Sequence, residues 1–342
     1  MSTWLVTGAT GFLGRHLVRA LLQRGDRVRA LVRSNPSDPL PGGVELAFGD
    51  VLTEETLAPA MTGVDGVFHL AGRVQREGGR DVLFALHVDG TANVLRAMAS
   101  TGVKRVIMAS TSGTVACSRE PIVFDDHAAD AMDVVKQWPY YASKIHAEAV
   151  ARRMAANLGL DLVLLRPSLL LGPEDVGGSS TEDVRRFIAG DIPVVPKGGI
   201  SFLDVRDCAD TFVKAMDRAR PGEAYLLGAA NMSLRDFFVL VANVADVEPP
   251  VAELSKRYWG VGSEMLQMAA SLGIIERPER ASVEMATHWW WCDWSRACAE
   301  IGHSPRSPIE TLEDTITWQR AWREIPAAEP GKLLRLPFRP RA

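Results

Sequence analysis

The octapeptide Thr7–Gly14, TGATGFLG, constrains the fold of this chain more than any other segment. It lies between a predicted strand, Trp4–Val6, and a predicted helix that starts near Gly11. Glycine permits a tight turn there and lets a phosphate approach the backbone, while the helix start offers free N–H groups and a positive dipole end. The pattern predicts a dinucleotide site, although a GxxGxxG spacing could also serve only a tight turn. The predicted contact residues are Gly8, Thr10, Gly11, Phe12, Leu13 and Gly14.

Short apolar strands alternate with amphipathic helices up to Pro167. This alternation is typical of right-handed βαβ crossovers, and it predicts an α/β fold with a Rossmann-like, doubly wound parallel sheet. The predicted strands are Trp4–Val6, Val28–Val32, Val44–Phe48, Val67–Ala71, Arg105–Ala109 and Leu162–Leu165. The predicted helices are Arg15–Arg24, Thr53–Met61, Asp81–Ser100 and Gln137–Leu158.

The regular alternation breaks down after Pro167, where loop signals and isolated strands such as Ser201–Val205 and Ala224–Leu227 follow. We therefore expect a dinucleotide-binding domain over 1–167, which segments near 201–220 rejoin. A smaller, interleaved C-terminal substrate lobe is expected over 168–325. The last stretch, 326–342, is rich in proline and arginine. It is expected to be a poorly packed tail, with a docking arm for a partner as the alternative.

Composition excludes several classes of protein. Among 342 residues, 38 basic and 42 acidic side chains give a net charge of −4, which offers no general surface for nucleic acid. The four cysteines have neither metal-type spacing with histidine nor the density of a disulfide scaffold. The sequence has no secretory signal pattern and no uncharged apolar run of about 18 residues. We expect a cytoplasmic protein that binds no membrane, no nucleic acid and no metal.

The end of the second strand bears on which dinucleotide binds. Sites that prefer NAD usually carry an acid there for the ribose hydroxyls. This strand ends in Arg33 and has no such acid, so a 2′-phosphate is expected beside the guanidinium; a surface arginine is the alternative. The sequence predicts NADP(H) as the preferred cofactor, with NAD(H) possible. Asp50 follows the third strand with Val51, and it could accept the adenine amino group or simply shape a turn.

Two further motifs carry reactive side chains. Ser110–Thr114 follows the predicted strand Arg105–Ala109, and Trp138–Lys144 (WPYYASK) opens the long predicted helix. Together with TGATGFLG, this order of TGxxGxxG and YxxxK resembles the extended short-chain dehydrogenase/reductase family. The resemblance spans roughly residues 3–323, and its character is nearest to dihydroflavonol-reductase-like, 3β-hydroxysteroid-dehydrogenase-like and hopanoid-associated epimerase-like members. Flanking segments that agree are Phe68–Gly72, Val88–Thr91, Arg166–Ser168 and Phe202–Asp207.

The resemblance implies a catalytic trio. Tyr140 is the expected general acid/base, and Lys144, one helical turn away, would stabilise its phenolate and bind the nicotinamide ribose. A free tyrosine has a pKa of roughly 10 and needs such help at neutral pH. Thr111 is expected to hold the substrate oxygen, while Ser110 and Ser112 remain neighbours of uncertain use. Tyr141 is expected to pack or to line the pocket. Further cofactor contacts implied by the resemblance are Leu70, Ala71, Gly72, Pro167 and Ser168.

Two features depart from the family pattern or lie outside it. His87 stands where relatives usually have asparagine, and we expect it to have a structural or supporting role. Trp289–Trp291 is a run of three tryptophans that is expected to pack between lobes or in the core. No function follows from either feature at this stage.

Three functions remain open. The favoured one is an NADP(H)-dependent carbonyl reductase or alcohol dehydrogenase for a small or medium organic molecule. The alternatives are a nucleotide-sugar epimerase or dehydratase with retained NAD, and a non-catalytic NADP-binding regulator. A pocket is expected from Arg73–Gly79, 111–118, Trp138 and Ser168–Thr181. A homodimer through the helices at 81–100 and 137–158 is possible within the family.

Overall fold

The computed structural model of the protein describes residues 1–74, 79–255 and 279–323. It also describes single residues between these ranges: Tyr258, Glu264, Gln267, Met268, Ser271 and Gly273. The tail predicted at 326–342 lies outside the described residues, as do residues 75–78 of the predicted pocket loop.

Twelve strands occur in the described part of the chain. In chain order they are β1 (Thr3–Thr7), β2 (Arg27–Val32), β3 (Val44–Phe48), β4 (Gly66–His69), β5 (Arg105–Ala109), β6 (Asp161–Pro167), β7 (Leu169–Leu171), β8 (Val194–Pro196), β9 (Gly199–Asp204), β10 (Ala224–Leu227), β11 (Ala230–Ser233) and β12 (Ala252–Leu254). Seven of them form one sheet in the order β10-β6-β5-β4-β1-β2-β3. All neighbours in this sheet are parallel. The predicted Rossmann-like α/β fold is confirmed.

The described residues form twelve α-helices, and some of them cover the two faces of this sheet. They are α1 (Phe12–Gln23), α2 (Leu57–Met61), α3 (Arg80–Phe84), α4 (Gly90–Thr101), α5 (Met132–Val135), α6 (Pro139–Leu158), α7 (Glu182–Ile188), α8 (Val205–Arg218), α9 (Leu234–Ala245), α10 (Arg280–Met285), α11 (Ser295–Ile301) and α12 (Pro308–Arg323). A π-helical turn, Ala85–Asp89, joins α3 to α4. A 3₁₀ turn, Ser112–Thr114, follows β5.

Apolar residues of the sheet alternate between two buried layers. Trp4 and Val6 of β1 face the layer that contains α1, α8 and α11, whereas Leu5 faces the layer of α2, α4 and α6. Because both faces are covered, the central strands are apolar throughout, as parallel strands usually are. The chain order of the strands reverses between β1 and β4. In such sheets ligands bind at the carboxyl ends of the strands beside this reversal.

Several element boundaries differ from the sequence prediction for local reasons. The helix predicted at Asp81–Ser100 is interrupted by the π turn, which places His87 in the interior. The helix predicted from Gln137 begins at Pro139, whose fixed φ suits the first helical position. The strand predicted to reach Ala71 ends at His69, because residues 70–72 turn across the glycine motif.

The remaining elements form a smaller packing unit beside the sheet. Strands β11, β9 and β7 make one small sheet, and β12 pairs with β8. Their apolar side chains pack with α7, α9 and α12 around Phe187, Phe202 and Phe237. Helix α8, which directly follows β9, returns to the main sheet and packs against α1. The chain therefore crosses between the two packing units more than once.

Candidate active site

The predicted glycine turn connects β1 to α1 with very little space around it. Gly8 has a φ of +72°, and a Cβ there would lie 2.7 Å from the carbonyl carbon and oxygen of Leu70. A Cβ on Gly14 would lie 2.1 Å from the carbonyl oxygen of Gly8. Gly11 is the residue before α1, and no side chain caps that helix start. Thr10 and Gly11 are exposed, so the free N–H groups at this end of α1 face outward.

The end of β2 and the end of β3 lie side by side in the sheet. Arg33 follows β2, is exposed, and has no hydrogen-bond or ion-pair partner among the described residues. Asp50 shapes a turn after β3, since its Oδ1 accepts the N–H of Leu52 at 2.9 Å. Val51 is buried and packs close to Gly90 at the start of α4. The Arg33 guanidinium, which has no partner among the described residues, and the Asp50 carboxylate thus lie where the adenosine end of the cofactor is predicted to bind.

A chain of directed hydrogen bonds fixes the segment after β4. The N–H of Ala71 donates to Thr7 Oγ1 at 3.1 Å, and that hydroxyl lies 2.8 Å from His69 Nδ1. His69 Nε2 lies 3.0 Å from Thr91 Oγ1, which donates to the carbonyl of His87 at 2.6 Å. Because Thr91 Oγ1 gives its own proton to that carbonyl, His69 carries a proton on Nε2, and the Thr7 hydroxyl can donate to Nδ1. Burial agrees with this, because it lowers the pKa of His69 to about 3.

His87 continues this network toward helix α6. Its Nε2 accepts the N–H of Arg73 at 3.1 Å, and its Nδ1 lies 2.8 Å from Ser143 Oγ. Ser143 Oγ donates in turn to the carbonyl of Tyr140 at 2.8 Å. Burial lowers the pKa of His87 to about 2, and the charge of Lys144 contributes to the same shift, so the ring is neutral. His87 therefore ties the loop after β4 to the first turn of α6.

Thr111 and Tyr140 meet at the carboxyl edge of the sheet. The two side chains lie close enough for Thr111 to lower the pKa of Tyr140. Thr111 Oγ1 also accepts the N–H of Gly113 at 3.4 Å, which orients the threonine side chain at the start of the 3₁₀ turn. Burial raises the pKa of Tyr140 to about 12, while the nearby Thr111 side chain opposes that rise. The tyrosine is therefore protonated at neutral pH and can donate a proton.

Lys144 lies one helical turn beyond Tyr140 and is 7% exposed. Its Nζ donates to the carbonyl of Ala109 at 3.0 Å. A Cβ on Gly72 would lie 3.5 Å from the same Nζ, so the ammonium also borders the loop after β4. Burial lowers the pKa of Lys144 from 10.5 to about 8, and the negative charge of Glu148 acts against this change. The ammonium is still protonated at pH 7.

A buried ion pair lies beneath these groups, and the sequence analysis did not identify it. Glu148 accepts from Arg166 through both of its oxygens, at 3.0 and 2.5 Å. Ser110 donates to Glu148 at 2.5 Å, so its hydroxyl points into the protein. Tyr140, Lys144 and Glu148 recur at intervals of four residues on α6, which places them on one helix face. This four-residue spacing of polar side chains is the signal in the sequence from which Glu148 could have been predicted to lie near the site.

Aromatic side chains pack beside the turn that carries Thr111. The Tyr141 ring packs on Trp290, with ring centres 4.8 Å apart, and covers Gly113, whose Cβ would lie 2.3 Å from the ring. Trp138 is buried against Trp290 and Tyr141. The backbone of Trp289 bridges Ser118 on one side and Gly199 on the other. The tryptophan run thus packs between the sheet unit and the smaller unit.

The site residues fit a dinucleotide. The glycine turn leaves a cradle that any Cβ would fill, and the start of α1 offers unbonded N–H groups. Ser168 follows Pro167 at the end of β6, is buried, and its Oγ has no partner. Leu70 and Ala71 pass directly over Gly8. All of the predicted cofactor residues therefore lie near the carboxyl ends of the strands, along the part of the sheet that runs from β3 to β6.

Among the described residues, no cluster of three or more histidine, cysteine, aspartate or glutamate side chains has the arrangement of a metal site. No helix in the described ranges is long and apolar enough to span a membrane.

Comparison with known proteins agrees with this geometry. The model of the NAD dependent epimerase/dehydratase family matches residues 4–228. Cinnamoyl-CoA reductase 1 of Oryza sativa subsp. japonica is 35% identical over 238 residues, which cover 65% of this chain and 69% of that protein. Sterol demethylase protein B of Methylococcus capsulatus is 27% identical over 331 residues, which cover 93% and 98% of the two chains.

Among solved structures, the crystal structure of gox2253 superposes with a TM-score of 0.80 at 29% identity, and the match covers 94% of this chain and 98% of that one. The family match covers the glycine turn, the Thr111 turn and the Tyr140–Lys144 helix. The chain belongs to the NAD-dependent epimerase/dehydratase family and is an NAD(P)-dependent enzyme of the extended short-chain dehydrogenase/reductase type.

Proposed function

We propose that this protein is an NADP(H)-dependent carbonyl reductase or alcohol dehydrogenase that acts on a small or medium organic molecule. The observation that carries the proposal is that the side chains of Thr111 and Tyr140 meet at the carboxyl edge of the sheet, one helical turn from a charged, buried Lys144. Relatives named as reductases, such as cinnamoyl-CoA reductase, support the same class of reaction.

The reaction divides between the cofactor and the protein. A nicotinamide cofactor, when bound at this edge, would supply the hydride-transfer chemistry, and the proton transfer would fall to the protein. Thr111 donates a hydrogen bond to the carbonyl oxygen, and Tyr140 gives that oxygen its phenolic proton. The tyrosinate that remains is stabilised by the nearby Lys144 ammonium until a solvent proton replaces the one transferred. In the direction of alcohol oxidation, the same tyrosinate removes the proton from the hydroxyl.

Arg33 supports NADP(H) as the cofactor. Its guanidinium is exposed at the end of β2, no acid stands there for the ribose hydroxyls, and no described residue neutralises it. A 2′-phosphate would supply the missing anion through a charge-assisted hydrogen bond. A cofactor that exchanges freely is also what separate turnovers of a reductase require. By contrast, an epimerase would keep its NAD bound through each cycle.

The direct test is consumption of NADPH and NADH with a panel of ketones, aldehydes, steroids and nucleotide sugars. We expect NADPH-dependent reduction of at least one uncharged carbonyl compound. Purified protein that retains NAD through chromatography and interconverts nucleotide sugars without net cofactor turnover would establish the epimerase alternative. Binding of NADPH with no turnover of any class would favour a regulator.

The adjacent tyrosines provide a matched pair of variants for the mechanism. Tyr140→Phe is expected to lower turnover by roughly 10²–10⁴-fold, the usual contribution of a positioned acid/base, while NADPH still binds. Tyr141→Phe should keep most activity, because its ring packs on Trp290 and the ring is retained. Steady-state rates at saturating NADPH and thermal melts check both variants. The reverse pattern would assign the proton transfer to Tyr141.

A further inference from the structure

Beneath the Tyr140–Thr111 pair lies the carboxylate of Glu148, to which the proposed mechanism assigns no role. We propose that Glu148 is a positioning residue: it fixes the turn that carries Thr111, and it places a negative charge on the helix face of Lys144, one turn along α6. The proposal rests on the proposed function in one respect, namely that Thr111 and Lys144 serve catalysis. The observations for it come from the buried contacts of Glu148.

Glu148 holds the Thr111 turn from both sides. Ser110, the residue before Thr111, donates to Glu148 Oε1 at 2.5 Å. The hydroxyl of Thr114 lies 3.0 Å from the same oxygen and 2.9 Å from the carbonyl of Thr111. Both hydroxyls are buried, and each has its acceptor in Glu148. A carboxylate can accept several bonds at once, which a neutral side chain of this size cannot match.

Arg166 holds the carboxylate itself in place. Its guanidinium forms two parallel bonds to Glu148, and each side chain of the pair is 7% exposed. The third arm of Arg166 donates to the carbonyl of Asp126 at 3.2 Å. Planar two-bond pairing of this kind restricts both position and angle. Burial opposes ionisation of Glu148, but the bonds from Arg166, Ser110 and Thr114 outweigh it and lower the pKa.

Glu148 is also the anion that faces Lys144. It lies four residues further along α6, on the same helix face. The other titratable groups that face the ammonium are Tyr140 of α6, His87 of the π turn and His69 of β4. Both histidines are neutral, and the tyrosine is protonated. The negative charge of Glu148 raises the pKa of Lys144 against the larger effect of burial.

The primary test measures the titration of Lys144 in the protein without cofactor. Competitive acetylation of its lysines, followed by peptide mass spectrometry from about pH 6 to about pH 10, brackets the expected midpoint. Glu148→Gln keeps the size of the side chain and removes its charge, so the midpoint of Lys144 should fall by about one pH unit. Glu54→Gln is the matched control, because Glu54 pairs with Arg96 at the surface. An unchanged midpoint in folded Glu148→Gln would overturn the charge role.

A second variant tests the positioning of the turn without altering any charge. Ser110→Ala combined with Thr114→Val removes both hydroxyls that bind Glu148. We expect about tenfold or greater loss of kcat, an unchanged Kd for NADPH and an unchanged Lys144 midpoint. Wild-type turnover in this variant would overturn the positioning role. If Glu148→Gln does not fold because Arg166 is left unpaired, Glu148→Gln with Arg166→Gln takes its place. Its Lys144 midpoint should still fall, but by less, because loss of the Arg166 charge acts in the opposite direction.

These readouts separate the inference from the proposed function. Acetylation needs no substrate, so it decides the role of Glu148 at Lys144 even if no carbonyl compound is reduced. With a substrate in hand, the alkaline fall in kcat should move to lower pH in Glu148→Gln by the same interval as the Lys144 midpoint. A fall in kcat at all pH values with no such movement would indicate only structural damage and would contradict the charge role.

Discussion

Lys144→Met should make the protein more stable while removing its activity. Methionine keeps most of the buried volume but cannot carry charge. Burial lowers the pKa of Lys144 from 10.5 to about 8, so the charged form in the folded state costs about 3 kcal/mol at roughly 1.4 kcal/mol for each pH unit. The variant loses the bond to the Ala109 carbonyl, worth about 1.5 kcal/mol. The net gain in unfolding free energy at pH 7 is therefore about 1–2 kcal/mol.

The gain in unfolding free energy of Lys144→Met over the wild type should decrease as the pH rises. Below about pH 8 both the folded and the unfolded wild type carry the proton, and the full cost of the buried charge is present. Between about pH 8 and 10.5 the unfolded chain binds more protons than the folded one, so the stability of the wild type rises with pH. The advantage of Lys144→Met should shrink across that interval and disappear before its upper end, where the remaining charge cost equals the value of the lost bond to Ala109. At higher pH the variant should be the less stable protein.

Urea unfolding of wild type and Lys144→Met at a series of pH values measures this difference directly. The melting temperature at pH 7 should rise by about 2–3 °C, since about 1 kcal/mol shifts a chain of this length by roughly 1–2 °C. Lys144→Arg serves as the control, because arginine stays charged and gains nothing as pH rises. A Lys144→Met protein that is less stable at pH 7, or a difference that is the same at all pH values, would refute the reasoning.

Three further changes test the site. Arg33→Ala should remove most of an NADPH preference of roughly tenfold or more, measured as the ratio of kcat/KM for NADPH and NADH; an unchanged ratio would exclude Arg33 from the 2′-phosphate site. Thr111→Ser should stay active, whereas Thr111→Val should lose on the order of 10²–10³ in rate and retain its affinity for NADPH. A normal rate in the valine variant would assign the contact with the substrate oxygen to a neighbouring residue. Gly14→Ala should weaken NADPH binding in calorimetry, because its Cβ would lie 2.1 Å from the Gly8 oxygen, while Gly42→Ala, which meets nothing within 4 Å, should bind normally.

The order of the elements and the family could be predicted from the sequence because both depend on local patterns. The bounds of β3, β5 and β10 agree with the apolar runs that predicted them. The glycine spacing was readable for the same reason, since a positive φ at Gly8 and close packing at Gly14 leave no other residue possible. Local features of this kind depend on residues that are only a few positions apart in the chain.

The π turn at Ala85–Asp89 could not be predicted in the same way. The helical periodicity of 81–100 does not indicate the extra residue of a π turn, because the groups that His87 bonds from this turn lie in other parts of the chain. The bulge places His87 where it bonds Arg73 and Ser143, and Ser143 is 56 positions away in the chain. The histidine that replaces the usual asparagine can be interpreted only after that partner is known.

What the sequence by itself determined is therefore the fold class, the glycine turn, the sheet edge at which a cofactor is expected, and Thr111, Tyr140 and Lys144 as candidate catalytic residues. Tertiary structure alone decided how these groups are charged and held. Ser110 and Glu148 are 38 positions apart, and their bond exists only because β5 and α6 pack together. Burial sets the pKa of Lys144, and burial is a property of the whole packed chain rather than of any segment.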